Sequence, residues 1–498
     1  MHGITPILVE IETHVTQSLQ KFSIIGLPDS SLREAKDRVK CSIVNSGFDF
    51  PSRELIVNLL PAELPKNGSR FDLAIALSIL LASSSIQSKK DLSSYIVLGE
   101  LSLHGQIKKV PGVLSTILHN KLKNKKFIIP KANENELKYV DGISIIPVET
   151  LSELIDYLNG NDSYEKKIQF LYEATNDYTY VNTFDDVIGQ SAAKRAFEIV
   201  AAGKHNILLV GPPGSGKSML AKRLPSIMPS LEFDEFLQTA SIYSSSNIDI
   251  NGIEEFKNYL PIVRSPHHTS SVVGIVGGGN AMAQAGEITL AHNGILFMDE
   301  FPEFQRKALE ALREPLEEKK ISICRSKYKV EYPADFILVA AMNPCPCGMH
   351  GSTQCVCNEL DIKRYHTKLS GPLLDRIDLR VWVSSTSVEK LSESSCEKIT
   401  NEMQVRVLKA RELQKARYQG ITRYNASLSI QESMRFAKFS ESTKTFLFSS
   451  VDKLRLSTRA YLRVLRIART IADLEQSEVV LKEHVAEAIS YRMQGAIN

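Results

Sequence analysis

The alternation of hydrophobic and polar positions predicts a mixed domain over residues 1–160. Short apolar runs at 22–25, 55–59, 95–98 and 127–129 predict strands, and longer segments at 32–46, 72–82 and 151–158 predict helices between them. Strands and helices that alternate in this way are typical of an α/β or α+β domain. We therefore expect one such domain at the start of the chain.

The pattern changes twice after residue 160. A polar stretch at 161–183 predicts a linker. Residues 184–385 return to strand–helix units, and residues 386–498 turn helical, with the clearest helices at 394–415 and 458–475. A chain of 498 residues accommodates three domains at roughly 150 residues each. The sequence thus predicts an α/β protein whose last domain is helical.

The second domain opens on a glycine-rich loop between an apolar strand and a helix. The strand at 207–210 leads into the motif G-x-x-x-x-G-K-S, which comprises Gly211, Pro212, Pro213, Gly214, Ser215, Gly216, Lys217 and Ser218. In such loops backbone N–H groups turn inward around phosphates, the lysine reaches the β- and γ-phosphates, and the hydroxyl ligates Mg²⁺. A chance glycine-rich turn is the alternative. The full match before a helix that starts near Met219 predicts a nucleoside triphosphate site.

Two carboxylates follow the next buried strand. The strand at 294–298 ends in Asp299 and Glu300, about 80 residues after the glycine-rich loop. One carboxylate at such a strand end can hold magnesium, and its neighbour can orient and polarise the attacking water. We assign Asp299 to magnesium and Glu300 to water activation, which predicts ATP hydrolysis.

A polar amide ends a further strand. Asn343 follows the apolar run at 336–342. Placed between Glu300 and the γ-phosphate, it can report which nucleotide is bound. The alternative interpretation of Asn343 is a plain turn residue at the strand end.

Two arginines suit the stabilisation of a phosphoryl group in transfer. Arg376 can act on the nucleotide of a neighbouring subunit, and an intrasubunit salt bridge with Asp375 or Asp378 is the alternative. Arg459 opens a helix capped by Ser457 and can reach over the bound nucleotide from a lid. A solvated basic face is the alternative here, because arginines recur at 455, 459, 463 and 466.

Four cysteines lie within thirteen residues, at Cys345, Cys347, Cys355 and Cys357. Four soft ligands on a tight loop suit tetrahedral Zn²⁺, and His350 can substitute for one of them. The C-x-C spacing is tighter than the usual C-x₂-C, so free buried thiols and a redox pair remain as alternatives. The other cysteines are interpreted as isolated core residues: Cys41, Cys324 and Cys396.

A hairpin with a basic tip is predicted over residues 319–332. Arg325, Lys327, Tyr328 and Lys329 can contact DNA phosphates in a central pore, with the tyrosine as a stacking face. A solvated edge hairpin, whose lysines discourage edge pairing, is the alternative.

Two further motifs are interpreted as structural. His267 and His268 resemble half of a metal site, but no carboxylate or third histidine stands at ligand spacing. The glycines at 277–279 do not follow a strand in the dinucleotide-binding pattern and predict a flexible loop.

Composition and charge limit which binding partners and which cellular compartment we expect for this chain. The formal net charge of +3 is too small to indicate nucleic-acid binding by itself, so any basic surface must be local. The chain opens without a charged-then-apolar leader, and its longest apolar run, at 73–86, is too short for a membrane span. Clustered cysteines suit a reducing compartment. We expect a cytoplasmic protein with no membrane partner.

The glycine-rich loop, Asp299 with Glu300, Asn343 and residues 373–378 match the P-loop, Walker B, sensor 1 and arginine-finger elements of an AAA+ ATPase. More specific are the linking motifs RSPHHTS at 264–270, LREPLE at 312–317 and AMNPCPCG at 341–348, together with residues 277–279, 285–300, 25–29, 57–68 and 98–105. On these residues the chain closely resembles the magnesium-chelatase-like ComM (YifB-type) family. The resemblance covers essentially the whole chain.

That resemblance implies a P-loop AAA+ core with a helix-2 insert and a pre-sensor hairpin. It also implies a Lon-protease-like (ribosomal S5 domain 2-like) α+β domain at the N-terminus and a C-terminal helical lid. The implied cofactors are ATP and Mg²⁺, and the implied assembly is a homo-hexamer that moves on DNA, with branch migration during transformation or recombination. The family's finger falls on Arg376, its sensor 2 on Arg459 and its hairpin on residues 319–332.

One departure bears on activity. A Lon-type protease needs a serine–lysine dyad; Ser69 lies near the serine position, but Leu114 occupies the lysine position. Without a base to activate the hydroxyl, we expect a scaffold or binding module. Two alternatives to a DNA motor are a chelatase-type ATPase that remodels a protein partner and an ATP-dependent protease.

Overall fold

Residues 3–120, 125–169, 180–279, 284–324, 329–385 and 398–493 are described by a computed structural model. In chain order the first domain contains β1 (Glu10–Thr16), β2 (Phe22–Ile25), α1 (Ser30–Asn45), β3 (Glu54–Leu60), α2 (Asp72–Ala82), β4 (Tyr95–Val97), β5 (Glu100–Leu101), β6 (Ile107–Lys108), α3 (Val113–Asn120), β7 (Lys126–Pro130), β8 (Ile143–Val148), α4 (Leu151–Leu158) and β9 (Lys166–Ile168).

Two main sheets organise the first domain. β3 lies between β1, which runs antiparallel to it, and β2, which runs parallel. The second sheet has the order β4-β7-β8-β9, parallel up to β8 and antiparallel at β9. The longest apolar run forms α2, whose Leu73, Ile75, Ile79 and Leu80 are fully buried. Nowhere in the described ranges does a helix combine the length and hydropathy needed to cross a membrane. The predicted α+β domain is confirmed.

The predicted linker begins too early in the chain. Ile168 pairs with Ile143, and Lys166 pairs with Ile145, so β9 is an edge strand of the second sheet. Its two lysines are exposed, and a charged edge strand has the composition of a linker. The first domain therefore extends to residue 168 at least, and residues 170–179 lie outside the described part of the chain.

The second domain continues the element order. It contains α5 (Ser191–Gly203), β10 (Ile207–Val210), α6 (Lys217–Ala221), α7 (Phe233–Ser245), α8 (Glu254–Lys257), β11 (Val263–Arg264), α9 (Val272–Val276), β12 (Gly277–Gly278), β13 (Gln284–Ala285), α10 (Glu287–Leu290), β14 (Ile295–Met298), α11 (Arg306–Ala311), α12 (Arg313–Glu318), β15 (Lys320–Cys324), β16 (Lys329–Pro333), β17 (Ile337–Met342), α13 (Glu359–Thr367), α14 (Gly371–Leu374) and β18 (Leu379–Trp382).

Five parallel strands form the centre of this domain in the order β11-β14-β17-β10-β18. β10, β14 and β17 are buried at every residue, as expected for a parallel sheet covered on both faces. Leu209 and Phe297 join the apolar cluster that includes α5 and the C-terminal helices. Leu208 and Met298 join the opposite cluster, which includes α11, α12 and the β15–β16 hairpin. Since parallel strands end at one edge, the loops after β10, β14 and β17 come together.

The third domain is helical, as predicted. It contains α15 (Thr400–Arg417), α16 (Ile430–Ala437), α17 (Glu441–Lys453), α18 (Thr458–Leu474) and α19 (Lys482–Met493). Ser457 Oγ accepts from the backbone N–H of Ala460 and caps α18 as expected. α15 begins at Thr400, and residues 386–397, where its start was predicted, lie outside the described ranges.

A buried ionic network joins the third domain to the central sheet. Arg463 of α18 contacts Asp378, which also accepts a 2.9 Å hydrogen bond from the backbone N–H of Asn206. Burial by itself would raise the pKa of Asp378, but the Arg463 charge and the hydrogen bonds hold it far below its usual range. Arg492 of α19 donates to the Ile377 carbonyl at 2.6 Å. These contacts fix α18, which carries Arg459, relative to β18.

The first domain packs directly on the second. α3 lies against α7, and one apolar cluster combines Val113 and Ile117 with Phe236 and Tyr243. Ser115 Oγ donates to the Ile4 carbonyl at 2.5 Å. Ile4 in turn packs against the cluster that contains the β15–β16 hairpin. The first domain thus contacts both α7 and the hairpin.

Three local predictions differ from the structure. Gly277 and Gly278 form β12, which pairs with β13, because a backbone ladder needs no side chains. α6 begins at Lys217, not near Met219. Cys41 is exposed on α1 and is not a core residue, and Cys396 lies outside the described residues.

Candidate active site

The glycine-rich loop joins the end of β10 to α6. Gly216 adopts a left-handed φ of 89°, a conformation that costs an L side chain roughly 1–2 kcal/mol. Ser215 Oγ is buried and has no hydrogen-bond partner among the described residues. An orphaned buried hydroxyl in a loop with the G-x-x-x-x-G-K-S pattern fits a phosphate cradle.

Lys217 lies buried beside this loop. Its Nζ donates to the carbonyls of Gly211 and Pro212 at 2.8 Å each and to Asn343 Oδ1 at 3.2 Å. Burial lowers the pKa of Lys217, and the charge of Asp299 offsets part of that effect. An ammonium group whose partners in the described chain are neutral oxygens suits an anionic ligand such as a phosphate.

Ser218 and Asp299 meet across the ends of β10 and β14. Ser218 Oγ donates to Asp299 Oδ2 at 2.5 Å, and Asp299 Oδ1 accepts from the backbone N–H of Glu300 at 2.9 Å. Hydroxyl and carboxylate oxygens are the ligands that Mg²⁺ prefers. The two side chains predicted to hold magnesium are therefore in contact, and their role as ligands stays a prediction.

Asn343 contributes to the pocket wall. It follows β17, its side chain reaches Lys217, and its backbone hydrogen-bonds the hydroxyl of Tyr365 on α13. The adjacent ends of β17 and β10 explain the contact with Lys217. Asn343 is placed to sense a ligand of Lys217, and that function stays a prediction.

Glu300 faces a histidine that the sequence analysis set aside. His268 Nδ1 lies 2.8 Å from Glu300 Oε2, because β11 and β14 are neighbouring strands and the segments after them meet. Glu300 is half-exposed and has a left-handed φ of 50°. In the sequence no carboxylate stands at ligand spacing from the histidine pair, whereas in the structure Glu300 lies beside His268. Only the strand order, and no local motif, could have revealed this contact.

We predict that His268 positions Glu300 for catalysis. Replacing His268 by alanine removes a hydrogen bond to a charged group, a change that lowers kcat by about tenfold while the affinity for ATP stays the same. His267 provides the matched control, since its ring bonds Thr269 at 2.8 Å and His267→Ala should retain activity. Steady-state ATPase assays of both variants check this, and equal activities would contradict it.

Arg376 and Arg459 converge on one carboxylate, Glu317 of α12. Arg376 Nη2 lies 2.7 Å from Glu317 Oε2, and Arg459 Nη2 lies 3.4 Å from Glu317 Oε1. Arg376 also donates to the Pro372 carbonyl at 2.6 Å. The alternative of an intrasubunit salt bridge is therefore met, but by Glu317 and not by Asp375 or Asp378, which contact Arg492 and Arg463. Glu317 itself was missed by the sequence analysis.

The arginines of α18 do not form one basic face. Arg463 is buried, and Arg466 donates to the Leu428 carbonyl inside the protein. Arg459 remains half-exposed, and Arg455 is exposed. The alternative of a solvated face therefore fails for the two inner arginines, and the placement of Arg459 at the start of the helix keeps it available to a ligand.

The basic hairpin is present as predicted. β15 and β16 pair antiparallel, and Ile321, Ile323, Val330 and Tyr332 turn into the core. Lys329, the first residue of β16, lies 2.8 Å from Glu331. The other three DNA-contact candidates, Arg325, Lys327 and Tyr328, lie outside the described residues.

The four clustered cysteines come together as predicted. The sulfur atoms of Cys345, Cys347, Cys355 and Cys357 all lie within 4.8 Å of one another. Cys345 is buried and the other three are half-buried. His350 is not part of this group of ligand atoms.

The first domain places a carboxylate beside its candidate serine. Ser69 Oγ donates to Glu100 Oε2. Leu114 is fully buried within α3. Among the described residues, the hydrogen-bond partner of Ser69 is thus a carboxylate and not the amine that a serine–lysine mechanism uses.

Three family models match the chain in order. Residues 183–391 match the model described as magnesium chelatase, subunit ChlI, and residues 397–492 match its C-terminal model. Residues 11–133 match the model described as subunit ChlI of Mg-chelatase.

Curated relatives match at nearly full length. The chain is 40% identical over 494 residues to competence protein ComM of Haemophilus influenzae, covering 98% of this chain and 95% of the relative. It is 39% identical over 493 residues to the uncharacterized protein YifB of Escherichia coli, with the same coverage of 98% and 95%. A partial match of 26% identity over 177 residues links 36% of this chain to 22% of the probable DNA helicase MCM9 of Arabidopsis thaliana.

Proposed function

The chain belongs to the ComM/YifB-type, magnesium-chelatase-like family of AAA+ ATPases, with a Lon-protease-like N-terminal domain, and from that premise we propose that it is a homo-hexameric ring motor that hydrolyses ATP in the cytoplasm and acts on DNA. The activity that we propose on DNA is branch migration in recombination or natural transformation. The observation that carries this proposal is the assembly of Lys217, Ser218, Asp299 and Glu300 at one edge of the central sheet.

Each residue of that edge has a defined task in hydrolysis. The loop N–H groups and Lys217 would bind the phosphates, and Ser218 and Asp299 would hold Mg²⁺, which would neutralise phosphate charge. Glu300, oriented by His268, takes a proton from the attacking water. Asn343, which follows β17, accepts a hydrogen bond from Lys217 and is placed to sense the nucleotide.

The two convergent arginines support the proposed assembly. Because Arg376 and Arg459 share Glu317, we assign them to the same nucleotide. Lys217 has other partners, the two loop carbonyls and Asn343. We assign both arginines to the nucleotide of the adjoining subunit, where they stabilise the charge on the transferred phosphoryl group. A ring in which each subunit completes its neighbour's site meets this requirement.

DNA as the substrate rests on the relatives and the hairpin. One near-full-length relative is named a competence protein, and a partial relative is named a probable DNA helicase. The β15–β16 hairpin carries Lys329 next to its tip. Basic and aromatic groups on such a tip suit contact with phosphates and bases in a pore.

A chelatase-type ATPase that remodels a protein is the second candidate. The observation that favours it is that all three family models carry the name of a magnesium chelatase subunit. Against it stands the near-full-length match to ComM and YifB. The protease alternative lacks support at Ser69, whose hydroxyl bonds Glu100, and casein degradation by the full-length protein would establish it.

DNA-stimulated ATPase separates the two leading candidates. We expect the full-length protein to hydrolyse ATP faster with DNA, and fastest with a four-way junction compared with single strands or duplex. Lys217→Ala serves as the blank. Lys327→Ala combined with Lys329→Ala should lose the stimulation, whereas Lys320→Ala at the base of the hairpin should keep it. Robust ATPase that no DNA changes would overturn the DNA motor and favour a protein partner.

A further inference from the structure

The cysteine loop lies against the nucleotide-binding loop. Gly348, which follows Cys347, has a left-handed φ of 81° and packs on the ring of Pro213. A Cβ added to Gly348 would lie 2.4 Å from Pro213 Cδ and 2.6 Å from Pro213 Cγ. At that separation only a glycine allows the two loops to touch without displacement.

The cysteine loop also lies beside the end of β17, the strand that Asn343 follows. Pro344, between Asn343 and Cys345, accepts a 2.9 Å hydrogen bond from the His366 ring on α13. The neighbouring Tyr365 binds the backbone of Asn343. The cysteine loop and α13 therefore enclose the end of β17, whose Asn343 contacts Lys217.

The sulfur positions fit a metal ion. Tetrahedral Zn²⁺ with Zn–S bonds of about 2.3 Å requires sulfur–sulfur distances of about 3.8 Å. Cys345 and Cys347 are separated by 3.4 Å, Cys345 and Cys355 by 3.9 Å, and Cys347 and Cys355 by 3.7 Å. A disulfide needs about 2.05 Å, so the spacing matches shared coordination and not a redox pair.

We propose that Zn²⁺ bound by Cys345, Cys347, Cys355 and Cys357 holds the cysteine loop against Pro213 and thereby sets the position of the nucleotide-binding loop, so that ATP affinity depends on the metal. The inference rests on the proposed ATP site and adds a control element to it. A loop of this length has little apolar core of its own, so the metal supplies its rigidity. The Gly348–Pro213 contact then restrains the position of the nucleotide-binding loop.

Two glycine variants of the full-length protein test the contact without touching a ligand. Gly348→Ala adds a methyl group against Pro213, whereas Gly351→Ala adds one at a similar left-handed φ of 84° with nothing within 4 Å. We expect both to keep about one zinc per chain, measured by metal analysis. Gly348→Ala should weaken binding of a fluorescent ATP analogue by about tenfold, and Gly351→Ala should bind it like the wild type.

A cysteine variant tests the metal itself. Cys355→Ser combined with Cys357→Ser should lose zinc and bind the ATP analogue at least about tenfold more weakly, while exposed Cys41→Ser changes neither property. Wild-type affinity in both Gly348→Ala and the double serine variant would overturn the coupling, as would a wild-type protein that holds no zinc. A wild type that binds zinc but no ATP analogue would instead refute the proposed ATP site.

Discussion

Replacing Glu300 by glutamine is expected to stop ATP hydrolysis while leaving ATP binding intact. Glutamine keeps the size of the side chain and can still bond His268, which lies 2.8 Å from Glu300, but it cannot accept a proton from water. General-base catalysis contributes about 10²–10⁴-fold to rate, so we expect kcat to fall by at least about 100-fold. Phosphate release and binding of a fluorescent ATP analogue measure the two properties separately.

Glu303 supplies the matched control for that result. It lies one turn beyond Glu300, is partly exposed and pairs with Lys368 at 2.9 Å. Glu303→Gln should therefore hydrolyse ATP at close to the wild-type rate. If Glu300→Gln loses affinity for ATP instead of kcat, the carboxylate belongs to the binding site and our assignment of the base is wrong.

Removing Arg376 is expected to reduce hydrolysis more strongly still. An arginine that neutralises the transferred phosphoryl group is worth about 10³–10⁵-fold in kcat, so Arg376→Ala should lose about 10³-fold or more. Because Arg376 is nearly buried against Glu317, thermal unfolding must show that the variant folds. Arg313→Ala is the control, since Arg313 lies on α12 with Glu317 but forms a partly exposed pair with Glu310 at 2.8 Å.

Mixed rings show whether the arginine acts across the subunit boundary. Lys217→Ala subunits cannot bind phosphates but carry intact arginines, whereas Arg376→Ala subunits have an intact phosphate site. Mixing the two inactive proteins should restore part of the ATPase activity. An active site can then combine the intact phosphate site of one chain with the intact arginines of another. Arg459→Ala should complement Lys217→Ala in the same way, since both arginines share Glu317. No recovery in rings that demonstrably mix would place the arginines within their own subunit.

The local motifs of the hydrolysis centre were readable from the sequence. The glycine-rich loop occupies eight consecutive residues between a strand and a helix, and Asp299 with Glu300 directly follows a strand. Their meeting also followed from the pattern, because parallel strands covered on both faces place their carboxyl ends at one edge. The Ser218–Asp299 contact at 2.5 Å therefore realises what the spacing of the motifs predicted. The C-x-C pairs are local in the same way, and their sulfurs do meet.

Contacts between distant elements were not readable from the sequence. β9 resembled a linker because an edge strand with two exposed lysines has no hydrophobic alternation. His268 resembled an unpartnered histidine because its carboxylate lies on the neighbouring strand, outside any local spacing. For the same reason Arg376 was compared with Asp375 and Asp378, which are near in sequence, and not with Glu317.

The sequence alone predicted the chemistry: a phosphate-binding loop, one carboxylate for magnesium next to one for the general base, a cysteine cluster, and the class of fold that presents them. Those features depend on residue type and short spacing, which backbone geometry converts directly into local structure. The tertiary structure alone decided which groups contact those residues, namely His268 beside Glu300, Glu317 between two arginines, and Gly348 against Pro213. These pairings depend on strand order and the packing of loops, which bring together residues that no local pattern relates.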